Sequence, residues 1–337
     1  MKRVIKNIFP MFLYLYLRVL ARYIRLGRSY LYDLNHYFQY SMSMDNNTKN
    51  KLVSKIILDT HVIEKGLTMP EFRLGFGQVR LVVLLKNVEC YILRYDNEHH
   101  QILYALSVIN EYFEVHDKSN YSVSTELLNA KNVFFGKEEI NTVNFKERHQ
   151  INITKYEYFD AIDKPFFQFS ASRSSIRNFS REPVELVEIK QALDLCRNTP
   201  SACNRQSVRV HLFKGKDAIE RILEVQGGNR GFGHLANFLI VVTYEPSMYF
   251  EESERNSGIV DGGMYCMNIL YALHAKEMTA CILNAAHSGE KDLAMRKVAR
   301  IPASEVFVAM IAGGKAADKF KVATSYRYPL EKILEVH

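Results

Sequence analysis

The segment "FLIVVTY", Phe238–Tyr244, is a run of apolar and β-branched residues without a charge. A continuous run of this kind, only seven residues long, is typical of a strand that is buried on both faces of a sheet. "VFVAMIA" (Val306–Ala312) has the same character, "SVRVHLF" (Ser207–Phe213) alternates apolar with polar residues, and "TACIL" (Thr279–Leu283) is a shorter apolar run. These four segments predict the strands of a central sheet.

Segments between these runs have helical spacing. In Glu185–Cys196, for example, Leu186 and Ile189 fall on one helical face, and Gly258–Ala275 is spaced for a long buried helix. Strands that alternate with helices predict an α/β domain in the broad, α+β sense, with a central mixed sheet flanked by helices. We place this domain at residues 163–337.

Residues 45–162 are expected to form a mostly helical module that precedes the α/β domain. Three of its segments carry apolar residues at helical spacing: "KNKLVSKIILDTHVIEKGL" (Lys49–Leu67), "QVRLVVLLKNVECYILRYD" (Gln78–Asp96) and "QILYALSVINEYF" (Gln101–Phe113). The segment that follows, Glu138–Asp163, is polar and irregular, so we expect it to be the boundary between the two parts.

Residues 1–44 form a basic and aromatic N-terminal region. Its apolar run, "IFPMFLYLYL" (Ile8–Leu17), is ten residues long, whereas a helix needs about 20 to cross a bilayer. A signal peptide also fits poorly, because no small-residue cleavage site follows cleanly. Basic residues lie on both sides of the run: Lys2, Arg3, Lys6, Arg18, Arg22, Arg25 and Arg28. The pattern predicts either membrane-surface contact through residues 1–30 or a helix docked on its own protein or on a dimer partner.

The composition excludes several classes of protein. Of the 337 residues, 47% are hydrophobic and 12% aromatic, which is enough for a packed core. The net charge of +7 is moderate and partly concentrated near the N-terminus, so no nucleic-acid partner is expected. The five cysteines lack the spacing of a zinc site or a disulfide framework: Cys90, Cys196, Cys203, Cys266 and Cys281. A cytoplasmic protein is therefore expected, peripheral at the inner face of the membrane if the N-terminal region binds lipid.

The segment "SRSSIRNFS", Ser172–Ser180, combines two arginines with short hydroxyl side chains. Arg173, Ser174, Ser175 and Arg177 are the residue types that bind a phosphate, since guanidinium groups and hydroxyls supply charge and hydrogen-bond donors. Neither GxGxxG nor GxxxxGK[ST] is present, so a Rossmann or P-loop site is not indicated. Taken alone, the segment is weak evidence for a phosphate site, since solvated basic residues are the more common case and a kinase target is also open.

A second polar cluster lies in "HVIEKGLTMPEFRLGFG", His61–Gly77. His61 and Glu64 share a helical face, and Lys65 and Arg73 follow. Two potential ligands are too few for a metal site, and no metal is expected. The cluster is a candidate substrate or partner site, although a helix end followed by a glycine turn explains the glycines equally well.

Four segments in a fixed order give the sequence a family resemblance. Residues 171–335 resemble the nitroreductase family of FMN-dependent oxidoreductases. "SRSSIRNFS" is similar to the Arg-x-Ser-x-Arg-x-Phe signature of that family, and "TPSACNRQSVRVHLF" (Thr199–Phe213) to its Pro-Ser-x-x-Asn-x-Gln stretch before a strand. "DGGMYCMNILYALHAKEMTACILN" (Asp261–Asn284) resembles its central helix and the next strand, and "VFVAMIAGGKAADKFKVATSYRYPLEKIL" (Val306–Leu334) its last strand, glycine turn and Arg-x-Pro tail.

The resemblance implies roles for individual residues. Arg173 and Arg327, with Ser174 or Ser175, would hold the FMN phosphate, and Arg177 would lie on its phosphate or ribityl side. The residues that would line the flavin, in part from the second subunit of a homodimer, are Pro200, Ser201, Ala202, Asn204 and Gln206. Leu283 and Asn284 would approach the ring from a strand end, and Gly313 and Gly314 would let the backbone close on the cofactor. Cys203 is expected to be a small packed residue.

The activity that the resemblance implies is two-electron reduction of an unidentified small molecule. NAD(P)H would donate a hydride to flavin N5 in a ping-pong cycle, and the reverse sense, dehydrogenation of a substrate, is also open. Two alternatives remain: a catalytically reduced, membrane-associated subunit in surface polysaccharide biosynthesis, and an enzyme that transforms the flavin itself. The family pattern does not include the helical module, which would cover the active site or place the enzyme at a membrane.

Overall fold

The computed structural model describes residues 11–41 and 48–337. Its α-helices are α1 (Met11–Tyr40), α2 (Lys49–Leu67), α3 (Gln78–Arg94), α4 (His100–Lys118), α5 (Thr125–Phe135), α6 (Glu138–Asn141), α7 (Lys155–Phe159), α8 (Phe166–Ser172), α9 (Leu186–Leu195), α10 (Lys216–Gln226), α11 (Ser257–Ala275) and α12 (Gly289–Ala299). Its strands are β1 (Ile151–Thr154), β2 (Val208–Phe213), β3 (Phe238–Tyr244), β4 (Met278–Asn284), β5 (Val306–Lys315) and β6 (Lys319–Val322).

The central sheet contains the four predicted strands in the order β2-β3-β5-β4. Every residue of β3 is buried, because its alternate side chains enter two cores. Ile240 and Val242 pack with α9 and α11, whereas Leu239 and Val241 pack with α10 and α12. The α+β class is confirmed. The sheet differs from the expected mixed sheet in one respect, since all three of its pairings are antiparallel.

The helical module has a core of its own, built by α2 to α6. The first three predicted helices are confirmed as α2, α3 and α4. The side chain of Thr48 accepts a hydrogen bond from the backbone of Lys51 and so fixes the start of α2. Tyr91 and Tyr112, both fully buried, are among the largest side chains of this core.

The expectation that residues 138–163 are irregular is wrong, while the expected domain boundary there stays a prediction. This segment contains β1, which pairs antiparallel with β6, Ile151 opposite Val322 and Thr154 opposite Lys319. Thr154 then caps α7 through a capping box with Glu157. A four-residue strand has little local signal, and its partner lies more than 160 residues away along the chain. The strand pair joins the helical module to the α/β domain.

Helix α1 extends the predicted apolar run into a helix of 30 residues that buries none of its side chains. Ion pairs attach it to the α/β domain: Arg255 binds Asp33 through two contacts of 2.7 Å, and Arg25 lies 3.4 Å from Glu252. No described helix is long and apolar enough to span a membrane. Lys2, Arg3, Lys6 and residues 8–10 of the predicted surface anchor lie outside the described residues.

Gly313 and Gly314 lie inside β5, not in a turn after it. A Cβ on Gly313 would come within 2.4 Å of the Phe238 ring, and one on Gly314 within 2.5 Å of the Asn237 side chain. Close packing within the α/β domain therefore requires these glycines. The expectation that they let the backbone close on a cofactor is not supported by their position.

We predict that Gly313→Ala destabilises the chain by about 1–3 kcal/mol, because the new methyl group would overpack the Phe238 ring and the Thr279 carbonyl. Chemical denaturation measures the effect. Gly289→Ala is the matched control, since no atom lies within 4 Å of its Cβ position. Equal stability of the two variants would contradict this explanation of the glycine.

Candidate functional site

A cavity of about 760 Å³ lies between the helical module and the α/β domain. We call it the cationic cavity. It is lined by Ile57, Thr60, His61, Glu64, Gln101, Tyr104, Ser170, Ala171, Arg173, Ser174, Ser175, Arg177, Ile282, Ala323, Thr324, Ser325, Tyr326 and Arg327. Its walls thus come from α2 and α4, from the end of α8 and the segment after it, from β4 and from the C-terminal tail.

The loop after α8 contributes four side chains to the lining of the cationic cavity: Arg173, Ser174, Ser175 and Arg177. Ile176 is fully buried, and its N–H donates to the carbonyl of Ala280 in β4 over 3.0 Å. The buried isoleucine therefore holds the two arginines toward the cavity.

Hydrogen bonds from two buried side chains hold this loop and the end of α8 in place. The Tyr158 hydroxyl bonds both the N–H and the carbonyl of Ser174 at 3.0 Å, and Ser172 Oγ lies 2.8 Å from His274 Nε2. Burial raises the pKa of Tyr158 to about 12. Burial, together with the nearby Arg173 charge, lowers the pKa of His274 to about 4, so the imidazole is neutral near pH 7.

The cavity concentrates positive charge with little compensation. Arg173 Nε is buried and has no hydrogen-bond partner. Lys65 lies close enough to Arg177 that burial and this neighbouring charge lower the pKa of the lysine. Among the ion pairs of the described residues, none involves Arg173, Arg177, Arg327 or Lys65. A group of cations left unpaired next to a cavity is suited to an anionic ligand.

Glu64 is the acidic residue in the lining, and its carboxylate is fully engaged. It accepts hydrogen bonds from His61 Nδ1 at 2.7 Å, from the Tyr104 hydroxyl, and from Ser325 N and Oγ at 3.2 and 3.3 Å. Burial alone would raise the pKa of Glu64, but the bonds from His61 and Tyr104 outweigh it and lower that pKa. The ionised carboxylate holds His61 at the cavity wall.

The helical module also positions the tail that carries Arg327. Ser325 has a φ of 44°, an unusual backbone conformation for serine. The carbonyl of Tyr326 accepts from Gln101 Nε2 at 3.2 Å, and its ring lies 4.4 Å from the Arg148 guanidinium. These contacts hold Tyr326, the residue just before Arg327, in place. Arg327 itself is exposed.

Other predicted site residues lie in a second cavity, of about 570 Å³, which Pro200, Ser201 and Gln206 line. The N–H of Ala202 donates to both carboxylate oxygens of the buried Asp261 at 3.1 Å. Three residues of this segment have the φ near 50° that side chains rarely adopt: Cys203, Asn204 and Gln206. None of these segment residues lines the cationic cavity of the same chain.

Some predictions need correction in detail. Strand alternation places the Ile282 side chain in the cavity lining, while Leu283 packs in the core with α10 and α12. The Asn284 side chain accepts from the N–H of Ala286 at 3.0 Å and lies outside the lining. Arg73 is exposed and also lies outside it. Cys203 is exposed and not packed.

The sequence pattern indicated His61 and Glu64 as site residues but did not indicate their hydrogen-bond partners. Tyr104 and Ser325 lie 40 and 261 residues from Glu64 along the chain, so no motif links them. His274 was seen only as part of a buried helix. The one available signal was the polar character of these residues within apolar surroundings, which favours a hydrogen-bonded role.

Comparison with known proteins agrees with the resemblance. Residues 171–229 match the family model described as "Nitroreductase family". Similar solved structures include proteins described as nitroreductases in complex with FMN, from Desulfovibrio desulfuricans (25% identity, 52% of this chain and 98% of that chain, TM-score 0.43) and from Exiguobacterium sibiricum 255-15 (16%, 52% and 98%, 0.46). Another is an FMN-dependent nitroreductase from Clostridium difficile R20291 (17%, 50% and 96%, 0.41). No match was found among curated proteins.

The low pKa of His274 predicts a pH dependence of stability. Because the pKa in the folded chain, about 4, is below the ordinary value of 6.5, protonation favours the unfolded chain. The contribution of the neutral imidazole to the free energy of unfolding is fully present above pH 6.5 and is lost as the pH falls toward 4. About 2 kcal/mol is lost by pH 5.

Urea unfolding at pH 7 and pH 5 measures this contribution. Between pH 7 and pH 5, the free energy of unfolding of His274→Gln should fall by about 2 kcal/mol less than that of the wild type. The exposed control His234→Gln should behave like the wild type. An identical pH dependence of His274→Gln and wild type would show that this imidazole does not titrate as its surroundings imply.

Proposed function

We propose that this chain, whose residues 171–229 match the nitroreductase family, binds FMN in the cationic cavity and acts as an FMN-dependent oxidoreductase. The observation that carries the proposal is the buried, unpartnered Arg173 Nε beside two further arginines that pair with no carboxylate of the described residues. A dianionic phosphate supplies the acceptors that these donors lack.

The other features of the cavity also fit FMN. Its volume of about 760 Å³ is within the range of cofactor sites, roughly 300–1,000 Å³. Arginines and serines lie at the loop and the tail, while Ile57 and Ile282 offer apolar surface. A flat apolar ring joined to a phosphate needs both kinds of surface in one site.

The residues have distinct proposed tasks. Arg173 and Arg327, with Ser174 or Ser175, hold the phosphate, and Arg177 binds nearer the ribityl chain. The loop after α8 and the C-terminal tail are held in place before the cofactor binds. Tyr158 bonds the backbone of the loop, and Gln101 bonds the backbone of the tail. Such preorganisation reduces the ordering cost of binding.

Bound FMN would supply hydride transfer between NADH or NADPH and an electron-poor small molecule, which takes its second proton from the medium. His61 is the group of this chain best placed to handle a proton. Its Nδ1 bonds the Glu64 carboxylate, and no other hydrogen bond of the ring occurs among the described contacts. Nε2 is therefore available to a bound molecule, and the helical module would take part in the reaction.

We further propose that the Pro200–Gln206 segment contacts the flavin of a second subunit. Within one chain this segment lines a cavity of its own and not the cationic cavity. The strained φ angles at Asn204 and Gln206 need a compensating role, and contact with a cofactor across a homodimer would supply one.

We predict that Arg173→Ala combined with Arg327→Ala weakens FMN binding by roughly 10²- to 10⁴-fold in Kd, because two charge-assisted bonds of about 1.5–3 kcal/mol each are lost. Fluorescence titration with FMN measures the affinity, and circular dichroism checks the fold. Arg181→Ala is the matched control, since Arg181 is exposed and outside the lining. Unchanged affinity in the double variant would place the phosphate elsewhere.

A second prediction concerns the electron donor. When FMN-loaded protein is mixed without oxygen with NADH or NADPH, the flavin absorbance should bleach, and it should return when an electron-poor acceptor is added. Bound flavin that neither nucleotide bleaches would favour the membrane-associated, non-catalytic subunit. Breakdown products of the flavin, detected under oxygen, would favour the flavin-transforming enzyme.

A further inference from the structure

We propose that α1 pairs in parallel with α1 of a second copy of this chain. The observation is a seam of residues spaced alternately four and three apart along almost the whole helix: Leu13, Leu17, Leu20, Ile24, Gly27, Leu31, Leu34 and Phe38. Apolar residues at this spacing, sustained over more than three heptads, are the pattern of a coiled coil.

Among the residues that the structure describes, the seam has no partner within its own chain. Leu20, Ile24 and Leu31 are exposed by 42%, 46% and 57%, and α1 has no buried residue. The ion pairs at Arg25 and Asp33 attach a different face of the helix to the α/β domain. The seam therefore points away from that domain, because residues 24 and 31 lie far around the helix from residues 25 and 33.

Gly27 gives an independent reason to expect a second helix. A glycine in a helix interior costs about 1 kcal/mol relative to alanine, and a Cβ at Gly27 would meet no atom within 4 Å. Packing within the chain thus does not require glycine there. Its place in the seam would let the backbone of another helix approach closely.

The edges of the seam favour a second copy in parallel orientation. Tyrosines recur every seven residues along one edge, at Tyr16, Tyr23, Tyr30 and Tyr37. Arg28 lies on the other edge. In a parallel pair these edges face each other, so Arg28 would lie over Tyr23 of the second copy, a favourable contact of a cation with an aromatic ring. Arg18, Arg22 and Arg25 lie outside the seam, so like charges do not meet.

The area is also sufficient. Burying the apolar seam and the exposed parts of the four tyrosines would remove on the order of 800 Å² per copy. A specific interface buries about 800 Å² per partner. The seam can therefore sustain an association of its own, separate from any sharing of the flavin site.

Analytical ultracentrifugation of the full chain over a dilution series tests the proposal. Ile24→Glu with Leu31→Glu should halve the mass or weaken self-association at least tenfold, because both charges fall in the seam. Leu15→Glu adds the same charge at an exposed residue on the opposite face and should leave the mass unchanged. These side chains are exposed in the single chain, and circular dichroism verifies that each variant folds.

Crosslinking tests the orientation. In a Cys203→Ser background, Leu20→Cys and Leu31→Cys should each form a disulfide with the same residue of a second copy, whereas Leu15→Cys should not. The proposal is overturned if the wild type is monomeric at every concentration, or if Leu20→Cys and Leu31→Cys form no more disulfide with a second copy than Leu15→Cys does, which is the result for a dimer that only shares the flavin site. It is also overturned if α1 instead binds vesicles of anionic phospholipid in a seam-dependent way without a change in mass, which would assign the seam to a membrane surface.

Discussion

The buried carboxylate of Glu64 is the interaction on which the geometry of the site depends. It joins α2 to α4 through Tyr104 and to the C-terminal tail through both donors of Ser325, and it holds the ring of His61 at the cavity. A buried carboxylate is stable only when several donors satisfy it. The requirement for those donors fixes the backbone two residues before Arg327 and so brings an arginine from the end of the chain to the arginines of the α8 loop.

The cationic cavity differs from the Glu64 site, because its arginines have no carboxylate partner in the described part of the chain. Three arginines and Lys65 line or adjoin it, and the one carboxylate of the lining is already occupied. Such an arrangement costs stability through mutual repulsion and desolvation. An anionic ligand that binds only the folded chain would recover this energy. Function and stability are thus linked at the same residues, as expected where a site is built before its ligand arrives.

The sequence predicted those elements whose signal is local. The strands of the central sheet and helices α2 to α4 follow directly from the periodicity of apolar residues, and the arginines of "SRSSIRNFS" follow from residue type and the four-segment resemblance. Contacts between distant segments were not predictable. The β1–β6 pair, the Ser325 bonds to Glu64 and the roles of Gly313 and Gly314 depend on which parts of the chain meet, which short motifs do not encode.

The absorption spectrum of the full chain as purified tests most directly whether flavin occupies the cationic cavity. We expect the bands of oxidised FMN, with about one FMN released per chain on denaturation. A colourless protein that also fails to bind added FMN would show that the cationic cavity is not a flavin site.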